Sequence, residues 1–235
     1  MRRLLFILVL SLVVLGLVPL TFAQTGTAPI TASAVWQPGS DFLARARAAC
    51  EKVSPSQKFA DCVVSQMPKA GAPADAVSFT RELLKQTGGE VGIMTGFNKV
   101  GPVDVAFVSY PLRSSYGLLL VNGKPRIINA ENLKLLDEKD MRQSFQFQDL
   151  QNQFPNVSLW PGDRDGKTWP NSQTGPNGGL QFTIGYPLRN GCQTCAHAGF
   201  ALFNWNFNAS GKFTGTSFQG MTPAPISQSS SGSQP

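Results

Sequence analysis

The sequence predicts an α+β fold, in which short helices come first and a mainly antiparallel β-sheet follows. Apolar residues recur at helical spacing between residues 40 and 88. From residue 90 to residue 219 the pattern changes to strand-like alternation, interrupted by Gly, Pro and Asn turns. We therefore expect residues 40–219 to form a single α+β domain.

The first 23 residues have the three parts of a secretory signal peptide. Arg2 and Arg3 supply the positive charge, residues 4–17 form an apolar run, and Thr21-Phe-Ala23 offers a small-residue cleavage site. We expect cleavage after Ala23, with the mature protein in the periplasm or secreted. The apolar run is shorter than a typical membrane span, so no transmembrane segment is expected after cleavage.

Three helices are predicted behind the leader. Residues 24–39 are small, polar and interrupted by Pro and Gly, and they indicate a flexible spacer. Helical spacing then predicts helices over 42–53 and 57–67, separated by a proline that cannot continue a helix. A third helix is expected to start near Pro73 and end at Gly88-Gly89.

The first group of strands follows these helices. Alternating apolar residues predict strands over 91–100, 103–112, 117–121 and 125–129. Asn122-Gly123 lies between the last two, and this pair is typical of a hairpin because both residues accept positive φ. A short helix is expected over 132–141.

The second half of the chain begins with an ambiguous region. Residues 144–179 are rich in Gln, Asn, Gly and Pro, and we interpret them as a long surface loop. Strands are predicted over 180–188 and 199–208, and a final strand contains Phe213 and Phe218. Residues 220–235 have a composition that predicts a disordered tail.

A short internal repeat connects the two groups of strands. Tyr110-Pro-Leu-Arg113 and Tyr186-Pro-Leu-Arg189 each end a predicted strand, and each is followed by a turn and an apolar strand. The order of elements around both copies favours a duplicated strand–turn–strand unit. Such a duplication would build either one continuous sheet or two facing sheets.

The charge distribution argues against nucleic-acid binding. The chain has 20 Lys and Arg residues against 14 Asp and Glu residues, a net charge of +6. Two of these arginines belong to the leader, and the remaining basic residues form no run or helix face. A scattered excess of this size favours solubility rather than a phosphate-binding surface.

Four cysteines in an exported chain are expected to form disulfides. The simplest of the three connectivities pairs Cys50 with Cys62 and Cys192 with Cys195. The first bond would join two adjoining helices. The second would tighten the turn between two strands, where Gly191 permits a sharp bend.

Three functional hypotheses compete with a structural role for Cys192-Gln-Thr-Cys195. A redox dithiol requires the first cysteine at a helix N-terminus, and here a strand is predicted to follow. Covalent haem requires histidine next to the second cysteine, whereas Ala196 intervenes before His197. A zinc site has suitable spacing in Cys192, Cys195 and His197, although it lacks an obvious fourth ligand. The structural disulfide is favoured because the compartment is oxidising, and no cofactor or metal is expected.

Other candidate residues surround these cysteines. Arg113 and Arg189 occupy matching places in the repeat, where they could clamp an anion or simply cap strand ends. Trp160 and Trp169 could form a ligand-stacking platform or cover the sheet. His197 could contribute to a binding site or lie in a turn.

Two functions from different classes agree with these observations. The sequence contains no recognisable nucleophile motif or acid–base pair, which favours a non-enzymatic binding or accessory protein of a bacterial envelope. Its partner would be another protein or a small ligand. The alternative is a periplasmic thiol–disulfide oxidoreductase that uses Cys192 and Cys195.

Overall fold

The computed structural model describes residues 28–53, 56–162, 166 and 168–223. The predicted signal peptide, the start of the spacer and residues 224–235 of the predicted tail lie outside this range. No helix among the described residues is long and apolar enough to cross a membrane.

The described chain has short helices first and antiparallel strands after them, which confirms the α+β class. The helices are α1 Phe42–Cys50, α2 Ser56–Gln66, α3 Ala74–Gln86, α4 Lys139–Gln143 and α5 Phe145–Gln153. The strands are β1 Ile93–Asn98, β2 Asp104–Tyr110, β3 Ser115–Val121, β4 Ile127–Asn129, β5 Val157–Leu159, β6 Asn171–Thr174, β7 Leu180–Asn190, β8 His197–Phe207 and β9 Phe213–Pro223.

The three N-terminal helices form where apolar spacing predicted them. Pro73 precedes α3 in an extended conformation, and the helix buries Phe79, Thr80 and Leu83 on one face. Gly88 ends it with a φ of 69°, a value that favours glycine. The buried Thr80 hydroxyl donates to the Gly92 carbonyl at 2.9 Å, which ties the helix to the start of the first sheet.

The first sheet has the strand order β1-β2-β3-β4 and is antiparallel throughout. Its two faces are both covered. Ala106, Val108 and Leu119 pack with Phe79 and Leu83 of α3. The alternate residues of the same strands lie in a second core that they share with the other sheet. The first sheet is therefore the central layer of the molecule.

The second sheet has the order β5-β7-β8-β9, and β6 also pairs with β7. Its inner face lies against the first sheet, as Phe182, Ile184, Phe203 and Trp205 are in the same core cluster as Phe107. The structure thus contains two facing sheets rather than one continuous sheet. Helices α4 and α5 contribute Met141 and Phe147 to the same cluster.

Backbone hydrogen bonds join the two sheets at their loop tips. The Lys124 amide donates to the Gly211 carbonyl at 2.8 Å, and the Phe213 amide donates to the Lys124 carbonyl at 2.9 Å. A Cβ atom at Gly123 would lie 2.9 Å from the Gly211 carbonyl oxygen, so the two chains approach closely. We refer to these contacts of Lys124 with Gly211 and Phe213 as the tip bridge.

The predicted hairpin at Asn122-Gly123 is present, but its turn differs from the expected two-residue form. Asn122 has a φ of 67°, and its amide donates to the Arg126 carbonyl at 2.8 Å across a longer loop. The Asn122 side chain donates to Asp104 Oδ2 at 2.8 Å and to the Ile30 carbonyl at 2.7 Å. These contacts and the tip bridge set the loop's shape.

The prediction of a long loop over 144–179 is wrong, because this region contains α5, β5 and β6. Ser144 caps α5 by accepting from the Phe147 amide at 3.2 Å. The helix predicted over 132–141 is also incorrect in its bounds. Leu133–Leu135 forms a 3-10 turn, and α4 begins only at Lys139.

The predicted spacer and tail are both more ordered than expected where they are described. Ile30, Ala34 and Trp36 are buried, and the Trp36 amide donates to the Met94 carbonyl at 2.9 Å. Residues 28–36 therefore pack onto the first sheet. At the other end, β9 continues to Pro223, which pairs with Gly199, so the predicted tail begins inside a strand.

Candidate functional site

Both predicted disulfides are present. Cys50 and Cys62 are joined with a Cα–Cα distance of 5.8 Å, and their bond links α1 to α2. Cys50 is completely buried against the helical core. Cys192 and Cys195 are joined with a Cα–Cα distance of 5.0 Å in the turn between β7 and β8.

The turn that contains the second disulfide is built from local backbone contacts. Gly191 has a φ of 91°, which other residues adopt only with strain. The Cys195 amide donates to the Cys192 carbonyl at 3.1 Å, and the Asn190 amide donates to the Ala196 carbonyl at 3.0 Å. We call residues 191–196 the disulfide turn.

The surroundings of Cys192 lack the main feature of a thioredoxin-type site. Strand β8 begins at His197, so the residues after the disulfide turn continue as a β-strand. A helix N-terminus at this position would stabilise a thiolate, and a strand does not supply that field. Cys192 Sγ lies 3.6 Å from the Thr194 hydroxyl.

His197 and Arg189 are opposite each other in the β7–β8 pair. The His197 ring packs edge-on against Phe200 with a centroid distance of 4.6 Å, and its Nε2 is buried with no hydrogen-bond partner in the described chain. Arg189 Nη1 donates to the Cys195 carbonyl at 3.5 Å. Both side chains therefore border the disulfide turn.

Arg113 lies in the turn after β2, and its side chain has three partners. Its guanidinium lies 4.2 Å from the centre of the Tyr110 ring, its Nε donates to Ser115 Oγ at 2.7 Å, and its Nη1 pairs with Glu90 at 2.8 Å. The buried hydroxyl of Tyr110 has no hydrogen-bond partner among the described residues. Burial raises the pKa of Tyr110 to about 12, although the nearby Arg113 charge acts in the opposite direction.

A cleft of about 640 Å³ lies beside Arg113, within the usual size range of small-molecule sites. Its described lining includes Arg113, Tyr116, Glu131, Gly162 and Gln193. The Gly162 amide donates to Glu131 Oε2 at 2.7 Å and holds the loop after β5 against this side of the cleft. The first Tyr-Pro-Leu-Arg segment and the disulfide turn thus both line this cleft.

The arginine clamp stays a prediction: Arg113 is in the described lining of this cleft, and Arg189 is not. The two arginines have different environments: Arg113 contacts Tyr110 and Glu90, whereas Arg189 contacts the disulfide turn. The sequence did not identify Tyr116, Glu131 or Gln193, because they come from three separate segments: the start of β3, the turn after β4 and the disulfide turn.

The two tryptophans have different relations to the sheets. The Trp169 ring packs on Phe107 with a centroid distance of 4.4 Å, and its edge lies 3.1 Å from the position of a Cβ at Gly96. Trp160 extends the pairing of β5, as its amide donates to the Pro187 carbonyl at 3.0 Å. Asp163 and Asp165, which the sequence places between the tryptophans, lie outside the described residues.

Within the described ranges, no group of three or more His, Cys, Asp and Glu side chains is arranged to hold a metal ion. Comparison with protein-family models, curated proteins and solved structures finds no match to this chain. Functional inference therefore depends on the chemistry of the chain itself.

Proposed function

We propose that this chain is an exported, disulfide-stabilised binding protein of a bacterial envelope that has no catalytic activity. The observation that carries the proposal is the position of the Cys192–Cys195 bond in a β-turn, where no helix follows to activate a thiolate. The leader and the two disulfides support export, since such bonds persist in oxidising compartments. The cleft lined by Arg113, Tyr116 and Glu131 is a candidate site for a small polar ligand.

A thiol–disulfide oxidoreductase is the second candidate, and one observation favours it. Cys192 and Cys195 are only partly buried, and the Thr194 hydroxyl is 3.6 Å from Cys192 Sγ. A hydroxyl at this position could donate a hydrogen bond to a thiolate and thereby lower the pKa of the thiol. No helix N-terminus adds to this contact, because β8 begins at His197, so we favour the binding protein.

An insulin-reduction assay on protein purified from the periplasm tests the proposal. The purified protein should begin at Gln24, and it should give the same background turnover as the Cys192→Ser variant. A thioredoxin-type enzyme serves as the positive control. Insulin reduction that requires Cys192 would contradict the binding protein, and a retained leader would contradict export.

We also infer a duplicated origin for the two Tyr-Pro-Leu-Arg segments. In support, Tyr110 and Tyr186 are both buried, and each precedes an antiparallel partner strand. The segments also differ, because β2 ends at Tyr110 whereas β7 continues to Asn190.

A further inference from the structure

The outer face of the second sheet carries a block of amide and hydroxyl side chains. The register places Gln173 opposite Gln181, Gln181 opposite Asn206, and Thr183 opposite Asn204. The alternate residues of β7 and β8 are in the core, so these side chains point away from the first sheet. We call Gln173, Gln181, Thr183, Asn204, Asn206 and Ser217 the amide face.

Hydrogen bonds connect these side chains across four strands. Gln173 Nε2 donates to Gln181 Oε1 at 2.5 Å, and Gln181 Nε2 donates to Asn206 Oδ1 at 2.7 Å. Asn206 Nδ2 donates to Ser217 Oγ at 3.2 Å. Each primary amide has two donor hydrogens and an oxygen with two lone pairs, so these bonds leave capacity for a ligand. They also hold the side chains in place, which lowers the entropy lost on binding.

The amide face is uncharged. None of the outward residues of β7 from Gln181 to Gly185, or of β8 from Phe200 to Asn206, is an acid or a base. About a quarter of the residues of a typical soluble domain are Lys, Arg, Glu or Asp. A face that only maintained solubility would be expected to carry some of these residues.

A cavity of about 430 Å³ lies at one end of the amide face, next to the turn before β7. Asn177, Gln181, Asn206, Asn208, Thr214 and Ser217 contribute polar groups to its lining. Among the described residues that line it, none is charged. Asn177 has a φ of 55°, a left-handed conformation that asparagine tolerates better than most residues.

We propose that the amide face and this cavity bind a neutral oligosaccharide. Each sugar hydroxyl both donates and accepts hydrogen bonds, as a side-chain amide does, whereas a charged ligand would find no countercharge here. Toward the other end of β8, Phe200 is 38% exposed and packs against His197, and its ring offers an apolar surface to the C–H face of a sugar. The proposal rests on the proposed binding function and adds a ligand class at a site separate from the Arg113 cleft.

Titration of ¹⁵N-labelled mature protein with maltohexaose, cellohexaose and hexa-N-acetylchitohexaose tests the proposal. At least one of these neutral sugars should shift the side-chain amide signals of Gln181 and Asn206 in the NMR spectrum. Asn206→Ala should weaken that binding about fivefold or more, because it removes a hydrogen-bonding group. Ser217→Ala, a milder change on an exposed residue, should weaken binding in the same direction.

The matched control is Gln148→Ala, which removes an exposed amide on α5 and should leave binding unchanged. Three results would overturn the proposal: no shift with any of the three sugars, equal binding of the charged hexagalacturonate, or shifts of the same signals on simple dilution. The last result would mean that a second copy of the chain covers the face. Failure here leaves the insulin test unaffected, so the two proposals can fail separately.

Discussion

Tyr110 and Tyr186 show how two identical sequence segments can place one residue type in different chemical environments. The Tyr186 hydroxyl donates to the Ala130 carbonyl at 2.7 Å and accepts from Trp205 Nε1 at 2.9 Å. The Tyr110 hydroxyl is equally buried but has no hydrogen-bond partner in the described ranges. The sequence could not distinguish them, because Ala130 is 56 residues away from Tyr186 along the chain.

Replacing Tyr186 with Phe should lower the free energy of unfolding by about 2 kcal/mol, because the Trp205 N–H and the Ala130 carbonyl lose a buried partner. The change should be measured by urea unfolding of both variants and the wild type at neutral pH. Tyr110→Phe is the matched control and should cause no loss, since its hydroxyl has no hydrogen bond to lose. Equal losses in the two variants would show that the hydrogen bonds of Tyr186 add nothing.

The raised pKa of Tyr110 predicts a loss of stability in alkali. Its folded-state pKa, raised to about 12, is above the ordinary value of 10.0, so the unfolded chain releases the phenolic proton first. The free energy of unfolding should therefore be unaffected below about pH 10 and fall as the pH rises toward about 12. Tyr110→Phe should reduce this fall when unfolding is compared at about pH 9 and about pH 11. An identical pH dependence in the variant and the wild type would contradict the prediction.

At the scale of elements, the sequence predicted helices and strands correctly wherever apolar residues recurred regularly, at helical spacing in the helices and in alternation in the strands. Helices α1, α2 and α3 and strands β7 and β8 lie close to their predicted positions for this reason. Strand β6 has no such pattern because all its residues are exposed. Helix α5 was missed because its apolar spacing is mixed: Phe147 is buried, whereas Phe145 is 81% exposed. Ser144, which caps this helix, is the sequence feature that could have indicated where it begins.

The two disulfides should contribute differently to the stability of their elements. Replacing Cys50 and Cys62 with Ala should cost about 3 kcal/mol, because their bond closes the longer loop. The matching double variant at Cys192 and Cys195 should cost about 2 kcal/mol, since that loop is much shorter. Urea unfolding of the two double variants makes the comparison. A larger loss at the disulfide turn would show that this bond positions β7 and β8 beyond its loop-closure effect.

At the scale of the whole molecule, the two sheets have unequal surroundings. The first sheet is covered on one face by α3 and residues 28–36, and on the other by the second sheet. The second sheet keeps one open face, and the amide face occupies it. Sequence patterns predicted β2 as a strand, but they could not indicate which loops meet. The Arg113 cleft depends on such a meeting, since Gln193 reaches it from the distant disulfide turn.

The tip bridge has a consequence for engineering this chain. Loop tips are normally the positions that tolerate insertions and new chain ends, because few contacts depend on them. Here the loop at Lys124 has backbone hydrogen bonds to Gly211, in the loop between β8 and β9, and to Phe213, the first residue of β9. An inserted peptide at this loop would separate two layers instead of extending one turn. The hairpin most easily recognised in the sequence is thus a poor place to fuse a tag or to permute the chain.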